Sequence, residues 1–423
     1  MTAEPLRQSL LPDTALVTSD DVLVGGVSLR DLAERFGTPL FVYDEGTLRS
    51  RCREAASVFD DGVAFASKSF LCGAMARLAF EEGLCIDVAT GGELNLVLRS
   101  GVPASRIIMH GNNKSYDELE RSVASGVHRL VVDNFDEIER LRGLVSIATP
   151  LDCLVRVTPG VEAHTHEFIR TGQEDSKFGF SVATGDARRA LSLLGEIPGL
   201  VVHGVHAHIG SQIFDVAAYV ETLAILADFT RSDDFDELCI GGGLGVAYVA
   251  DEDATTLTQW GTAIRHAARD AGISSKVRLL AEPGRAIVAQ AALTLYRVGA
   301  VKPVTQRTYM AVDGGMSDNP RPVLYGSGYE AFDVERPSEP RTQRVRLVGK
   351  HCESGDVLID EAWLPAGTGV DCLVATPVTG AYGYSMASNY NRVPRPAVVF
   401  VREGEVREVL RRETFDDLAR LEV

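Results

Sequence analysis

A lysine, a histidine, a glycine run and a glutamate each follow or end a short apolar segment of this 423-residue chain. They are Lys68 after residues 63–67, His208 at the end of 201–208, Gly241, Gly242 and Gly243 after 237–240, and Glu282 after 277–281. An amine can condense with an aldehyde, an imidazole can stack on a ring, and glycine amides can close on an anion. A carboxylate can hold a ring nitrogen protonated. The four groups together predict a site for pyridoxal 5'-phosphate.

Lys68 is an unusual residue for the end of a buried strand, because lysines mostly occupy exposed surfaces. Desolvation at that place favours the neutral amine, which is the form that reacts with aldehydes. The alternative is a lysine whose charged end reaches water at the edge of the strand. Glu282 has an alternative role too, since it could form a salt bridge with the neighbouring Arg285.

His208 and Ser211 lie three residues apart. The imidazole could lie against a cofactor ring and the hydroxyl could bind its phosphate, whereas a core histidine and a turn serine are the alternative. His206 with His208, and His164 with His166, have a His-x-His spacing that metal sites also use. Neither pair has a carboxylate or cysteine at a recognisable metal-site spacing, so we predict no metal site.

Gly241, Gly242 and Gly243 present successive amides without side-chain bulk, as phosphate-binding turns do. The dinucleotide pattern GxGxxG fails, because Val246 or Tyr248 stands where the third glycine is required. The Gly-Lys-Ser/Thr of a P-loop is also missing. We therefore predict a phosphate cradle of another kind, with a plain tight turn as the alternative.

Eight apolar segments alternate with helical patterns through the first two thirds of the chain. They are residues 63–67, 84–88, 106–110, 129–133, 151–157, 201–208, 237–240 and 277–281. Their near-continuous hydrophobicity is typical of parallel strands covered on both faces. The pattern predicts an α/β fold, a TIM-like (β/α)8 barrel with its chemistry at the C-terminal strand ends, and a long loop at 160–179 over the barrel mouth. A doubly wound sheet is the alternative.

After about Gln290 the helical patterns give way to short strand-like segments separated by glycine and proline. Residues 21–27 and 39–43 have the same character. We predict a second, mostly β domain formed by residues 304–423 together with strands from residues 1–43. Residues 44–303 would form the barrel that binds the cofactor.

The net charge of −17 argues against nucleic acid or an anionic membrane as a partner. The seven cysteines include no CxxC pair, so neither a disulfide framework nor a zinc site is indicated. No apolar run approaches the roughly 20 residues of a membrane span. We expect a cytoplasmic protein that acts on a small molecule.

Six motifs occur in the order found in fold type III pyridoxal-phosphate decarboxylases, and the chain resembles that family from about residue 39 to residue 396. The motifs are Phe65-Ala66-Ser67-Lys68, His208-Ile209-Gly210-Ser211-Gln212, Gly241-Gly242-Gly243, Glu282-Pro283-Gly284-Arg285, Cys352-Glu353-Ser354-Gly355-Asp356 and Gly380-Ala381-Tyr382. Ser67, Ser69 and Phe70 depart from the residues that flank the lysine in many relatives.

The resemblance implies a role for each residue. Those that would bind the cofactor are Lys68, His208, Ser211, Gly241, Gly242, Gly243, Glu282, Gly284, Arg285 and Tyr382, with Lys68 as the covalent attachment. Those that would hold the far end of the substrate are Arg285, Arg321, Tyr325, Glu353 and Tyr382. Cys352, whose thiolate is disfavoured by Glu353 and Asp356 nearby in sequence, would return a proton after carbon dioxide leaves. In this family Cys352 and Glu353 would come from the partner subunit of a homodimer.

A pocket that combines arginine with glutamate suits a substrate whose far end carries both a carboxylate and an ammonium group. Meso-2,6-diaminopimelate has such an end, so the expected reaction is its decarboxylation to L-lysine and carbon dioxide. Decarboxylation of ornithine, lysine or arginine is the nearest alternative. Related racemases pair the ring nitrogen with arginine, which makes Glu282 evidence against a racemase. A non-catalytic homologue would not need Lys68 and Cys352.

Overall fold

The eight predicted apolar segments form the wall of a barrel in a computed structural model that describes residues 7–161 and 176–423. Strands β1 to β8 are Ala64–Ala66, Cys85–Val88, Ile107–Met109, Arg129–Val132, Leu151–Thr158, Leu200–His206, Glu237–Cys239 and Arg278–Leu280. They are parallel neighbours in that order, and a bridge between Val63 and Ala281 joins the last strand to the first. The predicted barrel is confirmed and the doubly wound sheet is wrong. Most of the predicted loop at 160–179, with His164 and His166, lies outside the described residues.

A helix follows each barrel strand. These helices are Gly73–Glu81, Gly91–Arg99, Tyr116–Ser125, Phe135–Leu144, Asp186–Gly195, Ala217–Thr230, Leu257–Asp270 and the short Arg285–Val288. Capping boxes at Ser115 and Thr256 begin two of them. Short 3-10 helices lie at Ser67–Ser69 and Ala104–Arg106, and the strand Phe180–Ser181 pairs with β5.

Every second side chain along a barrel strand enters the interior, which produces layers. The middle layer is apolar and comprises Ala64, Cys85, Ile108, Val131, Leu154, Cys239 and Leu280. Toward the strand N-termini, Arg129 donates to both carboxylate oxygens of Glu237 at 2.9 Å. Two residues C-terminal to members of the apolar layer lie Asp87, His110, Asp133, Arg156 and Glu282. The period of two therefore concentrates polar groups at the C-terminal barrel end.

The chain divides into two compact units: Arg51–Gly245 with Ala254–Ala286 contains the barrel, and Met1–Ser50, Val246–Asp253 and Ile287–Val423 form the other. The second unit is mostly β, as predicted. Its small antiparallel sheet comprises Leu16–Val17, Val22–Val24 and Val27–Ser28. Its larger sheet runs in the order Val357–Pro365, Arg341–Val348, Arg307–Val312, Ala292–Val304, Leu40–Asp44, Ala397–Arg402 and Glu405–Leu410.

Leu373–Pro377 joins the larger sheet beside Ala292–Val304 and also pairs with Phe332–Asp333. The N-terminal strand Leu40–Asp44 is a central member of that sheet and packs in a core with Leu295 and Val399. The helices of this unit are Leu29–Phe36, Arg321–Tyr325 and Phe415–Ala419, with 3-10 turns at Gln8–Leu10, Tyr384–Met386 and Tyr390–Arg392. Helix Glu45–Phe59 continues from this unit into the barrel unit.

The predicted domain boundaries at residues 44 and 303 stay predictions. None of the helices in the part of the chain that the structure describes combines the length and the apolar character needed to cross a membrane.

Candidate active site

Glu282 lies two residues after the end of β8, is buried, and forms the centre of a polar cluster at the C-terminal end of the barrel. His206 Nε2 lies 2.9 Å from its Oε2 atom, and His110 Nε2 lies 3.2 Å from its Oε1 atom. The same His110 nitrogen lies 2.8 Å from Asp87 Oδ1. Cys239 Sγ donates to Glu282 Oε1 at 3.3 Å. The His110 imidazole is therefore placed between two carboxylates, while the His206 imidazole pairs with the Glu282 carboxylate.

The two histidines of this cluster have different charges. Burial would lower the pKa of His110, but Asp87 and Glu282 raise it to about 9, so this imidazole is positive at neutral pH. Burial lowers the pKa of His206, in spite of the opposing charge of Glu282. His206 is therefore neutral and donates its Nε2–H to the carboxylate.

The carboxylate of Glu282 is kept ionised by these two histidines. Burial alone would raise its pKa, yet the charges and hydrogen bonds of His206 and His110 hold that pKa well below its usual range. Burial raises the pKa of Asp87, with only partial compensation by His110. Glu282 is thus the carboxylate in this cluster best suited to pair with a protonated ring nitrogen.

His110, His206 and Glu282 also offer ligand atoms within 4.8 Å of one another, a spacing that a metal ion could use. The carboxylates that flank His110 raise its pKa to about 9, however, so a metal would have to displace a tightly held proton. We interpret the three groups as a hydrogen-bonded cluster that holds a carboxylate. His208 is not a member, so the His206-x-His208 pair does not act as one ligand set.

The loops that follow β6 and β7 are joined to each other by backbone and side-chain hydrogen bonds. Ile213 N donates to Gly243 O at 2.9 Å, and Gly242 N donates to His208 Nδ1 at 3.2 Å. Because Nδ1 accepts, the proton of the neutral His208 ring is on Nε2. Burial lowers the pKa of His208 well below its ordinary value, and the charge of Lys68 adds to the effect. A neutral, oriented ring is suited to stacking on a cofactor.

The backbone conformation and the close contacts of residues 241–243 require glycine at these positions. Gly241 and Gly243 have φ angles of 66° and 104°, which favour glycine. A methyl group on Gly242 would overlap the carbonyl oxygen of Glu282, and one on Gly243 would overlap that of Gly210. The run therefore lets three strand-end loops approach closely and leaves a cradle free of side chains.

Ser211 and Arg285 meet beside this cradle. Arg285 Nη2 donates to Ser211 Oγ at 2.8 Å, and the arginine is buried. A methyl group on Gly284 would crowd Ala66 and Ser69, so this glycine permits the last strand end to pack against the first. A hydroxyl, a guanidinium and glycine amides together form a site for an anion such as a phosphate.

The structure corrects one prediction about Lys68. Its side chain is exposed, although the flanking Ser67 and Ser69 are buried, so the predicted desolvation is wrong. The strand ends at Ala66, and the following 3-10 helix carries residue 68 away from the packed wall. Lys68 nevertheless lies at the same barrel end as the other groups. Its charge is close enough to lower the pKa of His208 further and to oppose the effect of burial on the pKa of Asp87.

The predicted residues of the second unit form two groups. Arg321 is buried, with its guanidinium carbon 3.9 Å from the centre of the Tyr248 ring. Its Nη1 donates to Tyr329 Oη at 2.5 Å. Burial would lower the pKa of Arg321, but interactions with Tyr248, Tyr329 and Tyr382 raise it. Tyr325, half-buried, belongs to the same short helix, Arg321–Tyr325. The sequence analysis identified Arg321, Tyr325 and Tyr382, but not the two tyrosines that enclose the guanidinium.

Cys352 and Glu353 form the other group, and both are exposed. Glu353 Oε1 accepts from the Gly355 amide at 3.2 Å, and Asp356 accepts from Met316 and His351 amides. The carboxylates of Glu353 and Asp356, which lie near the cysteine in the sequence, therefore accept hydrogen bonds from backbone amides.

Asp87, His110, Asp133 and Arg156 are polar residues of the barrel mouth that the sequence analysis did not assign. Arg156 Nη1 lies 3.5 Å from Asp133 Oδ2, and its guanidinium lies over the Phe178 ring at 4.3 Å. The available signal was a charged residue or histidine near the C-terminal end of an otherwise apolar strand segment.

These residues fit pyridoxal phosphate: an anion cradle, an ionised carboxylate for the ring nitrogen, a neutral stacking ring and an accessible amine. Residues 45–289 match the family model described as pyridoxal-dependent decarboxylase, pyridoxal binding domain. The chain is 46% identical to diaminopimelate decarboxylase of Mycobacterium bovis over 95% of each chain. It is 45% identical to that of Actinosynnema pretiosum, covering 100% of this chain and 98% of the relative.

A solved structure gives the same match in three dimensions. The crystal structure of diaminopimelate decarboxylase from M. jannaschii in complex with L-lysine superposes with a TM-score of 0.90 at 29% identity. The match covers 97% of this chain and 98% of that one.

Proposed function

The chain belongs to the pyridoxal-dependent decarboxylases, and on that premise we propose that it is a carboxy-lyase that converts meso-2,6-diaminopimelate to L-lysine and carbon dioxide. Relatives that carry the name of this activity match almost the whole chain. The observation that carries the chemistry is the buried Glu282 carboxylate, ionised and held by His206 and His110 at the barrel mouth.

Pyridoxal phosphate, when bound, supplies a sink for the electron pair that remains when carbon dioxide leaves. Glu282 would keep the ring nitrogen protonated, which requires a carboxylate that stays ionised. Ser211, Arg285 and the Gly241, Gly242 and Gly243 amides would hold the phosphate, joined by Tyr382. His208 would stack on the ring, and Lys68 would hold the cofactor covalently through its amine.

Selectivity for diaminopimelate would come from the arginines. Arg285 already donates to Ser211, which favours a role at the phosphate. Arg321 has a buried Nε without a hydrogen-bond partner among residues 7–161 and 176–423, so it can still donate to a carboxylate. Glu353 would bind the distal ammonium, with Tyr325 beside the carboxylate. A substrate with a lone ammonium at its far end would leave the Arg321 charge unpaired, which is unfavourable.

A homodimer with shared active sites is part of the proposal, supported by the family resemblance and by the exposure of Cys352 and Glu353. Lys68→Ala and Cys352→Ala proteins, each strongly impaired alone, should regain activity when their subunits exchange. No recovery after proven exchange would contradict a shared site. We also propose a cytoplasmic location, and residues 44–303 as the cofactor-binding domain, supported by the match at 45–289.

The proposed activity is tested by carbon dioxide release from diaminopimelate, ornithine, lysine and arginine at equal concentrations. Diaminopimelate should be the preferred substrate by kcat/KM. Faster release from ornithine, lysine or arginine would identify a decarboxylase of another basic amino acid. As a control for the cofactor, borohydride should bleach the visible absorbance of the wild type and leave the reduced cofactor permanently attached to Lys68.

A further inference from the structure

The turn that carries Cys352 is anchored by the buried carboxylate of Asp356, four residues after the cysteine. Asp356 is 3% exposed and accepts from the Met316 amide at 2.6 Å and from the His351 amide at 2.8 Å. A methyl group on Gly315 would overlap this carboxylate, so the glycine allows its close approach. The turn is thereby tied to a segment that lies more than 30 residues earlier in the chain.

The second attachment of this turn is made by His351, the residue directly before Cys352. His351 is buried, and both ring nitrogens have partners: Nδ1 lies 3.3 Å from Asn391 Oδ1, and Nε2 lies 2.8 Å from Ser317 Oγ. Asn391 Oδ1 also accepts from the backbone N–H of Cys352 at 3.2 Å. One amide oxygen therefore receives a hydrogen bond from the ring and another from the cysteine backbone.

Elementary valence determines the donors and the acceptor where Asn391 contacts the turn. A backbone N–H can only donate, so the Asn391 atom that faces Cys352 is the carbonyl oxygen. That oxygen cannot donate to the ring, so the His351 proton is on Nδ1. Nε2 contacts the Ser317 hydroxyl, which can donate or accept a hydrogen bond. The ring is therefore held at both of its nitrogens.

We propose that Ser317, His351 and Asn391 form a positioning device for the proton-donating Cys352. This inference rests on the proposed function, in which Cys352 returns a proton to the substrate. Because the Cys352 side chain is exposed, the protein must set its direction chiefly through the backbone. Asn391 and His351 hold that backbone on consecutive residues, so displacing either one shifts the thiol.

Asn391 offers an informative pair of substitutions, because its φ of 52° is tolerated by asparagine, aspartate and glycine. Asn391→Gly keeps this backbone conformation but removes the oxygen. Asn391→Asp keeps both the conformation and the acceptor. Asn389, two residues earlier, provides a matched control, because its amide donates to Val393 O and to Glu413 Oε2 instead.

The holoenzymes are compared by steady-state decarboxylation of diaminopimelate. Asn391→Gly should lower kcat roughly tenfold to hundredfold, the cost of misplacing a reacting group by up to an ångström. KM should change by no more than about twofold, because substrate binding is not the step affected. Visible cofactor absorbance and the thermal midpoint should stay at wild-type values, which a merely structural role would not predict. Asn391→Asp should restore most of kcat, and Asn389→Ala should leave it unchanged.

The proposal would be overturned by wild-type kcat in Asn391→Gly, or by a loss of kcat that comes with loss of bound cofactor. If Asn391→Gly does not fold, His351→Leu removes the contacts of the ring with Asn391 and Ser317 while keeping buried apolar volume, and it is judged by the same kcat, KM and absorbance criteria.

A double-variant cycle with Cys352→Ala separates this proposal from the role of Cys352 itself. If both hold, Asn391→Gly should have no further effect on kcat in the Cys352→Ala background, because the group it positions is gone. Additive losses would overturn the positioning role alone. Full activity of Cys352→Ala would instead overturn the catalytic role of the cysteine, and the inference with it.

Discussion

The positive charge of His110 makes the stability of the barrel depend on pH. Its pKa is about 9 in the folded protein against an ordinary 6.5, because Asp87 and Glu282 flank the ring. The folded chain therefore holds this proton more tightly than the unfolded chain does. The stabilisation is complete below pH 6.5 and is lost as the pH rises through about 9.

The size of this effect follows from the difference between the two pKa values. It corresponds to about 3 kcal/mol at acid pH, of which about 2.5 kcal/mol remains at pH 7 and almost none at pH 10. His110 is 8% exposed, so solvent screening reduces this value little. His110→Gln should therefore be less stable than the wild type by about 2 to 3 kcal/mol at pH 7. The two stabilities should converge as the pH approaches 10.

A single fluorescent reporter can follow the barrel alone. The chain has two tryptophans: Trp260 is buried in the barrel unit and Trp363 belongs to the other. In a Trp363→Phe background, urea titrations monitored by Trp260 emission between pH 6 and 10 give the free energy of unfolding with and without His110→Gln. Stability curves that run parallel across this range would refute the assigned charge. His203→Gln is the matched control, because the Asp152 and Asp236 carboxylates that it contacts are exposed and such pairs contribute little.

Three further substitutions test other parts of the structure. Gly243→Ala should weaken pyridoxal phosphate binding by about 5- to 150-fold, through strain of about 1–3 kcal/mol against the Gly210 carbonyl; unchanged affinity in a fluorescence titration would contradict the cradle. Lys114→Met leaves the buried Glu137 without its 2.7 Å partner and should cost about 3–5 kcal/mol of unfolding free energy. A urea midpoint close to that of the wild type would show that the pair is not needed. Arg321→Ala should lower kcat/KM for diaminopimelate, because it removes about 1.5–3 kcal/mol of transition-state binding free energy. An unchanged kcat/KM would remove Arg321 from substrate binding.

The sequence alone was sufficient to place Glu282, His208 and the glycine run at one end of a barrel. The apolar segments that form strands can be recognised from residues close together in the sequence. Parallel strands in a closed barrel then bring their C-terminal ends to the same rim. Positions that follow successive apolar segments therefore had to meet, whatever their distance along the chain. Asp87 and His110, which the sequence analysis did not assign, also lie near the C-terminal ends of apolar segments. A single polar residue in such a segment has many ordinary explanations, so there was no specific reason in the sequence to select them.

Only the tertiary structure decided what these groups are at neutral pH. His206 and His110 are both buried histidines, yet one is neutral and the other charged, because His110 lies between two carboxylates and His206 contacts one. Lys68 was expected to be desolvated and is exposed. Charge and solvation depend on atoms within a few ångströms in space, from residues far apart in sequence. The order of residues therefore determined which groups gather at the barrel mouth, and their packing determined which of them carry a charge.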